Sequence, residues 1–260
     1  MDKHTFVICA YKKSRYLERC ILSLKKQTVA GNIIMITSTP NQFVDEMADK
    51  YGIPLLINKN GGIVQDWNFA YNHANTEYVT IAHQDDVYFP QFVERVIRRM
   101  DGAKDPIICF TNYVEIRANK MVVANRLLRI KRLMLLPFRI RKLQERKWVR
   151  RMILALGSPI CCPSVTFSKE KVGKAPFSVG FRSDEDWEAW ERLSRLSGTF
   201  VYESGLLMGH RIHQESETTN ILNDNARTEE DYIMFKKFWP DFIARRLAKI
   251  YSISEKSNRM

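Results

Sequence analysis

The stretch Tyr78-Val-Thr-Ile-Ala-His-Gln-Asp-Asp-Val-Tyr88 decides the fold. Tyr78 to Ala82 is a run of strand-forming and small residues, and it delivers two adjacent carboxylates, Asp85 and Asp86, to the end of a buried strand. In open α/β sheets the ligand crevice lies just beyond the carboxyl ends of the strands. Carboxylates placed there are positioned to hold a hard divalent cation against a diphosphate. A polar strand-to-loop turn is the other reading of the same pair.

Outward from this stretch, strands alternate with helices. Thr5 to Ala10 reads as a buried strand, with Ser14 as an N-cap for a helix whose apolar face is Leu17, Cys20, Ile21 and Leu24. Ile33 to Ile36 is a second strand, followed by a helix over Gln42 to Lys50 and a short strand at Leu55 to Ile57. After the Gly61-Gly62 break, Ile63, Trp67, Ala70 and Tyr71 make another helical face. Gln91 to Met100 is helical and Ile107 to Thr111 is strand. This order predicts a largely parallel, doubly wound sheet. Beyond Tyr113 the alternation fails, and the spacing predicts a strand at Val165 to Phe167, a helix over Asp184 to Leu196 and a strand at Thr199 to Tyr202. Asn220 to Asn225 reads as a loop, and one last helix carries Phe235, Phe238, Trp239, Leu247 and Ile250.

With 260 residues and 45% hydrophobic content, the chain suits one medium-sized domain with a substantial core. No signal peptide and no stretch long enough to span a bilayer is expected. Five cysteines, an odd number set mostly among apolar neighbours, read as reduced core residues in a cytoplasmic protein. The formal charge of +12 is local. Between Arg126 and Arg151 eleven basic residues face one acid, Glu145, so this segment alone carries +10. Leu127, Leu128, Leu133, Leu135, Leu136 and Ile140 are interleaved with the charges, a pattern that suits an anionic lipid surface or an anionic acceptor; a solvated basic face with no partner is the other reading.

Three signals then occur in order: Gln84-Asp85-Asp86, Glu185-Asp186-Trp187, and His210-Arg-Ile-His-Gln-Glu-Ser-Glu-Thr218. Together with the opening Phe6 to Thr28 and the turn Asn60-Gly-Gly-Ile-Val-Gln-Asp-Trp-Asn68, they make the chain resemble the family-2 glycosyltransferases of the GT-A fold. The resemblance implies one α/β domain with a Rossmann-like, mostly parallel sheet flanked by helices, a helical basic insertion on the acceptor side and a C-terminal helix. Residues 1–112 would form the nucleotide-sugar-binding half, 113–225 the acceptor-binding half with the basic segment 126–151, and 226–260 a helical extension.

The activity so implied is a metal-dependent, inverting transfer from a nucleotide-diphosphate sugar to a hydroxyl of a glycan or lipid-linked acceptor, as in surface-polysaccharide assembly. Mn²⁺ or Mg²⁺ would be held by Asp86 first, then Asp85 and His213. Arg211, within an Arg-x-His-x-x-Ser-x-Thr pattern completed by Ser216 and Thr218, would clamp the donor. Ala10, Tyr11, Lys12, Ser38, Gln84 and Asp85 would line the donor site, with Asp66 and Trp67 rebuilding the nucleotide pocket. Asp186, with Glu185 beside it, would take the acceptor's proton. Ser183-Asp-Glu-Asp also reads as a helix cap with first-turn acids, and Trp67 also fits a core face. Two departures leave the donor base and sugar open: Thr37-Ser-Thr-Pro40 replaces the family's acids after the second strand, and Trp67-Asn68 its Arg-Asn pair. The expected setting is cytoplasmic, peripheral on the membrane's cytoplasmic face.

Other classes fit less of the chain. Nucleic acid is not an expected partner, because the basic run holds only Phe138 and Trp148 as aromatics and no recognition motif appears. A nucleotidyltransferase would need glycines where Ala10-Tyr-Lys-Lys-Ser-Arg15 has none. A non-catalytic relative leaves both carboxylate pairs without a role.

Overall fold

In the computed structural model, which describes residues 3–213 and 226–256, four parallel strands open the chain. They are β1 (His4–Ala10), β2 (Asn32–Thr37), β3 (Leu55–Ile57) and β4 (Tyr78–His83). Helices α1 (Leu17–Lys25), α2 (Gln42–Tyr51) and α3 (Ile63–His73) connect them. The sheet continues through β5 (Val87–Tyr88), β6 (Pro106–Arg117), β7 (Lys120–Val122), β8 (Val165–Ser168) and β9 (Thr199–Ile212). Its order is β3-β2-β1-β4-β8-β6-β9-β5, with β7 paired to β6. β8 runs antiparallel to both β4 and β6, while β6 and β9 are parallel.

Alternation along β1 divides the core between the two faces of the sheet. Phe6, Ile8 and Ala10 pack with α1 and with α4 (Phe92–Asp101), whereas Val7 belongs to the opposite layer with Trp67 and Tyr71 of α3. That second layer also takes Trp187 and Trp190 of α9 (Glu185–Leu193). The basic insertion folds as α5 (Arg126–Met134), a 3₁₀ turn over Leu136–Arg139, α6 (Arg141–Gln144) and α7 (Lys147–Leu154). A short helix, α8 (Lys169–Val172), follows β8.

Four expectations need correction. The helix after β1 starts at Leu17, and Ser14 is not its cap: the Ser14 hydroxyl accepts the Tyr16 N–H at 3.3 Å, making a turn ahead of the helix. β6 and β9 are 12 and 14 residues long, far longer than the five and four residues read from sequence. Buried acids mask their alternation, and each is neutralised: Glu203 takes Arg95 at 2.5 Å, and Glu115 takes Arg117 at 2.7 Å and Asn125 at 2.8 Å. The α9 helix is shorter than read, ending at Leu193. The single terminal helix is two, α10 (Ala226–Lys236) and α11 (Asp241–Lys256), because Pro240 cannot continue the first and suits the start of the second. Ser216, Thr218 and the Asn220 to Asn225 loop lie outside the described residues.

His4 is fully buried at the start of β1, where Nε2 bonds the Thr80 hydroxyl at 2.8 Å, and burial pushes its pKa down to about 3. A histidine whose folded pKa lies below its unfolded value contributes stability that is present above the unfolded pKa and lost as pH falls. Urea midpoints should therefore drop from near pH 6.5 toward pH 3, by about 1.4 kcal/mol per pH unit from this group. His4→Gln should remove about one proton from that slope; an unchanged slope would mean that His4 already titrates normally in the fold.

Candidate active site

Strand order reverses where β1 and β4 lie side by side, which is the position that opens a crevice at the carboxyl ends. The Gln84 side chain closes its floor. Gln84 Oε1 accepts the Tyr11 N–H at 3.1 Å and Nε2 donates to the Tyr11 carbonyl at 2.9 Å. One residue on, Lys12 adopts a left-handed backbone (φ 53°), and its N–H donates to Thr39 Oγ1 at 2.6 Å. Ala10, Tyr11 and Lys12 are thus pinned between the ends of β4 and β2.

The carboxylate pair is bound to the far strand. β5 pairs antiparallel with β9 through Val87 and Gly209, so the register places Asp86 opposite His210. Asp86 is fully buried; its Oδ1 accepts the Arg211 N–H at 2.8 Å and meets His210 Nδ1 at 3.1 Å. Burial pushes the His210 imidazole down, but the Asp86 charge and hydrogen bond and the nearby Asp85 outweigh it, and its pKa ends above the usual value. Asp85 Oδ2 lies 2.8 Å from His213 Nε2. Burial pushes the Asp85 carboxyl up, yet His213, His83 and His210 together hold it below the usual carboxylate range.

Arg211 is itself buried, with Nε donating to the Asp85 carbonyl at 2.8 Å, Nη1 to Asn119 at 3.1 Å, and its guanidinium 4.2 Å from the Tyr16 ring centre. Its side chain fastens the Asp85-Asp86 segment to Tyr16 and Asn119. Among the described residues, no three His, Cys, Asp or Glu side chains enclose a metal position unaided. Asp85 touches His213, and Asp86 adjoins Asp85 in the chain, so a hard cation such as Mn²⁺ or Mg²⁺ could be held here only with further oxygens supplied by a ligand.

On the β2 side, Asp66 is buried between Ser38, whose hydroxyl donates at 2.6 Å, and Asn58, whose amide donates at 2.7 Å. Trp67 stacks on His83 at 5.3 Å and packs on Phe177 at 4.8 Å. The indole is buried, with these two rings against it.

The Glu185-Asp186 motif arrives from the other half. Asp186 Oδ1 accepts the Trp187 N–H at 2.6 Å in the first turn of α9, and Glu185 is buried beside it. Burial pushes the Cys161 thiol well up, and the charges of Asp86 and of Asp186 both push it further.

A family model described as "Glycosyl transferase family 2" matches residues 5–155. The chain belongs to that family. This glycosyltransferase is 21% identical over 247 residues to an uncharacterised glycosyltransferase of Rickettsia typhi, covering 93% of this chain and 71% of the relative. A Rickettsia conorii relative is 24% identical over 254 residues, and the match spans 95% of this chain but 39% of that one. Among solved structures, S. aureus TarS 1-349 in complex with UDP-GlcNAc superposes with a TM-score of 0.66 at 13% identity, covering 95% of this chain and 70% of that one. At that identity the likeness is one of fold, and the fold is of the GT-A type.

Two residues that hold the candidate site together escaped sequence reading. His210 stood in a quoted motif, but only the β5–β9 register reveals that it reaches Asp86. Glu230 of α10 gave no local signal. Its carboxylate accepts the N–H groups of Arg182 at 2.8 Å, Ser183 at 2.8 Å and Asp184 at 3.2 Å, and the Ser183 hydroxyl at 2.8 Å. Asp184 occupies the capping position of α9 without a side-chain cap, so a residue nearly fifty positions away fixes the entrance to Glu185-Asp186. Glu230→Ala should cost about 2–4 kcal/mol by leaving buried donors without an acceptor. Hydrogen exchange should show faster amides confined to residues 182–184; uniform acceleration across the chain would argue against a local anchor.

Proposed function

We propose that this glycosyltransferase moves a sugar from a nucleotide diphosphate to an acceptor hydroxyl with inversion, using Mn²⁺ or Mg²⁺. The observation that supports the reading is the Asp85-Asp86 pair, fastened to β9 at the carboxyl end of β4 beside the point where strand order reverses. The TarS likeness, from a structure holding UDP-GlcNAc, supports a nucleotide-sugar donor. Asp86, Asp85 and His213 would hold the cation, which when bound neutralises charge gathering on the leaving diphosphate.

The other groups act around that centre. Gln84 and the Ala10–Lys12 turn position the donor against the ends of β1 and β4. Ser38 and Asp66 offer polar contacts to the nucleoside at the end of β2. Arg211 and His210 hold Asp85 and Asp86 in place. Asp186, its carboxylate orientation fixed by the Trp187 N–H, removes the proton from the attacking acceptor hydroxyl, with Glu185 supporting it. The acceptor is a glycan or a lipid-linked saccharide presented at the cytoplasmic face of a membrane, on the side of the crevice formed by residues 113–225.

Titration calorimetry with a panel of nucleoside diphosphates and their sugars should find one nucleotide whose binding requires Mn²⁺. Asp85→Asn and Asp86→Asn should abolish that requirement while retaining a cooperative melt. Absence of nucleotide binding to the folded wild type under any metal condition would overturn the reading. With the donor identified, Asp186→Asn should bind it normally but turn over about 10²–10⁴ times more slowly. The anomeric proton coupling of the product, read by NMR, should report inversion; a retained configuration would remove Asp186 from the role of base.

A further inference from the structure

The basic insertion is exposed in a way that a solvated charged face is not. Among the described residues, seven of the eighteen exposed large hydrophobic side chains fall within residues 126–156. On α5, Arg126, Arg129, Ile130 and Leu133 share one outward stripe at helical spacing, with Leu133 64% exposed. The turn beyond it presents Arg139, Ile140 and Arg141. Trp148, Met152 and Leu156 follow at four-residue intervals along and just past α7, with Trp148 62% exposed. Among the described residues, Arg126, Arg129, Arg139, Arg141 and Lys142 have no carboxylate partner, while Arg151 is paired with Glu191 at 2.6 Å.

We infer that this face docks on an anionic lipid bilayer, with the apolar side chains entering the headgroup boundary and the cations meeting lipid phosphates. Charge complementarity calls for an anionic partner, and the exposed Leu, Ile, Met and Trp select a lipid over a nucleic acid or another polyanion. The inner side of α5 connects this face to the site. Arg132 Nη2 donates to the Tyr113 carbonyl at 2.9 Å, Lys131 Nζ lies 3.3 Å from the Tyr113 hydroxyl, and the Tyr113 ring meets His210 at 6.2 Å. The bilayer would thus lie against the helix that walls the crevice. The purpose of this contact, access to a lipid-linked acceptor, rests on the function proposed above; the contact itself does not.

Sedimentation of the whole chain with phosphatidylcholine vesicles, with and without phosphatidylglycerol, tests it. Binding should require phosphatidylglycerol and weaken as salt is raised. Trp148 is the one strongly exposed tryptophan, so its emission should shift to the blue and be quenched by brominated acyl chains. Leu133→Ser/Ile140→Ser should weaken binding about tenfold through lost insertion. Arg129→Glu/Arg141→Glu should weaken it about tenfold or more through charge. Thermal midpoints and nucleotide binding of these surface variants should stay unchanged, which separates loss of docking from loss of the donor site. Folded protein that ignores anionic vesicles would overturn the proposal. So would binding undiminished by Leu133→Ser/Ile140→Ser with no Trp148 quenching, or preferential binding of an RNA oligonucleotide, since each marks a polyanion surface without insertion.

Discussion

The buried Asp86 carboxylate is the constraint on which the site depends. A charge withdrawn from water is tolerated only where hydrogen bonds and opposite charge replace its hydration. Here both come from β9: the Arg211 backbone N–H and the His210 ring. Neither can reach Asp86 unless β5 pairs with β9 in the observed register. Forming the site and closing the last edge of the sheet are therefore one event. Asp85, held by His213 and by the Arg211 side chain, is fastened to the same strand. The whole carboxylate pair hangs on a segment more than a hundred residues away.

Bringing further carboxylates near this pair raises a problem of repulsion. The chain puts neutral groups between them. Burial and the surrounding carboxylates push the thiols of Cys161 and Cys162 well up, so both stay uncharged at any physiological pH. The wall near Asp86 thus combines these neutral thiols with the groups that neutralise the carboxylate, the Arg211 N–H and the His210 ring.

Much of this was legible because local and global signals agree in the first hundred residues. β1 to β4 are short, apolar and punctuated by turns, and each helix between them has a clean buried face. Legibility fell where stability comes from distant partners. The parts of β6 and β9 beyond the stretches read as strand contain Glu115, Glu203, Asn112 and Arg211, which read as loop chemistry until their partners are known. Glu230 is the extreme case. It looks like an ordinary helical surface acid, and its importance comes from backbone donors of residues 182–184 that no periodicity connects to it. Trp67 has two readings from sequence, a ligand platform or a core side chain, and the structure buries it against His83 and Phe177.

The basic segment shows why charge is easier to read from sequence than shape. As a string it is simply lopsided, eleven cations against one acid. As a structure it is broken by Pro137 and two tight turns into short helices, so its apolar residues follow no single period. Their common exposure arises only when the pieces pack side by side, leaving Leu128, Leu135, Phe138 and Val149 inside and their neighbours outside. Because Lys131 and Arg132 on the inner side of α5 grip Tyr113, the helix cannot move independently of the crevice wall. Any surface that captures the outer stripe of α5 is therefore held at a fixed distance from the carboxylates. An acceptor confined to that surface would meet the site by diffusing in two dimensions, with its approach already oriented.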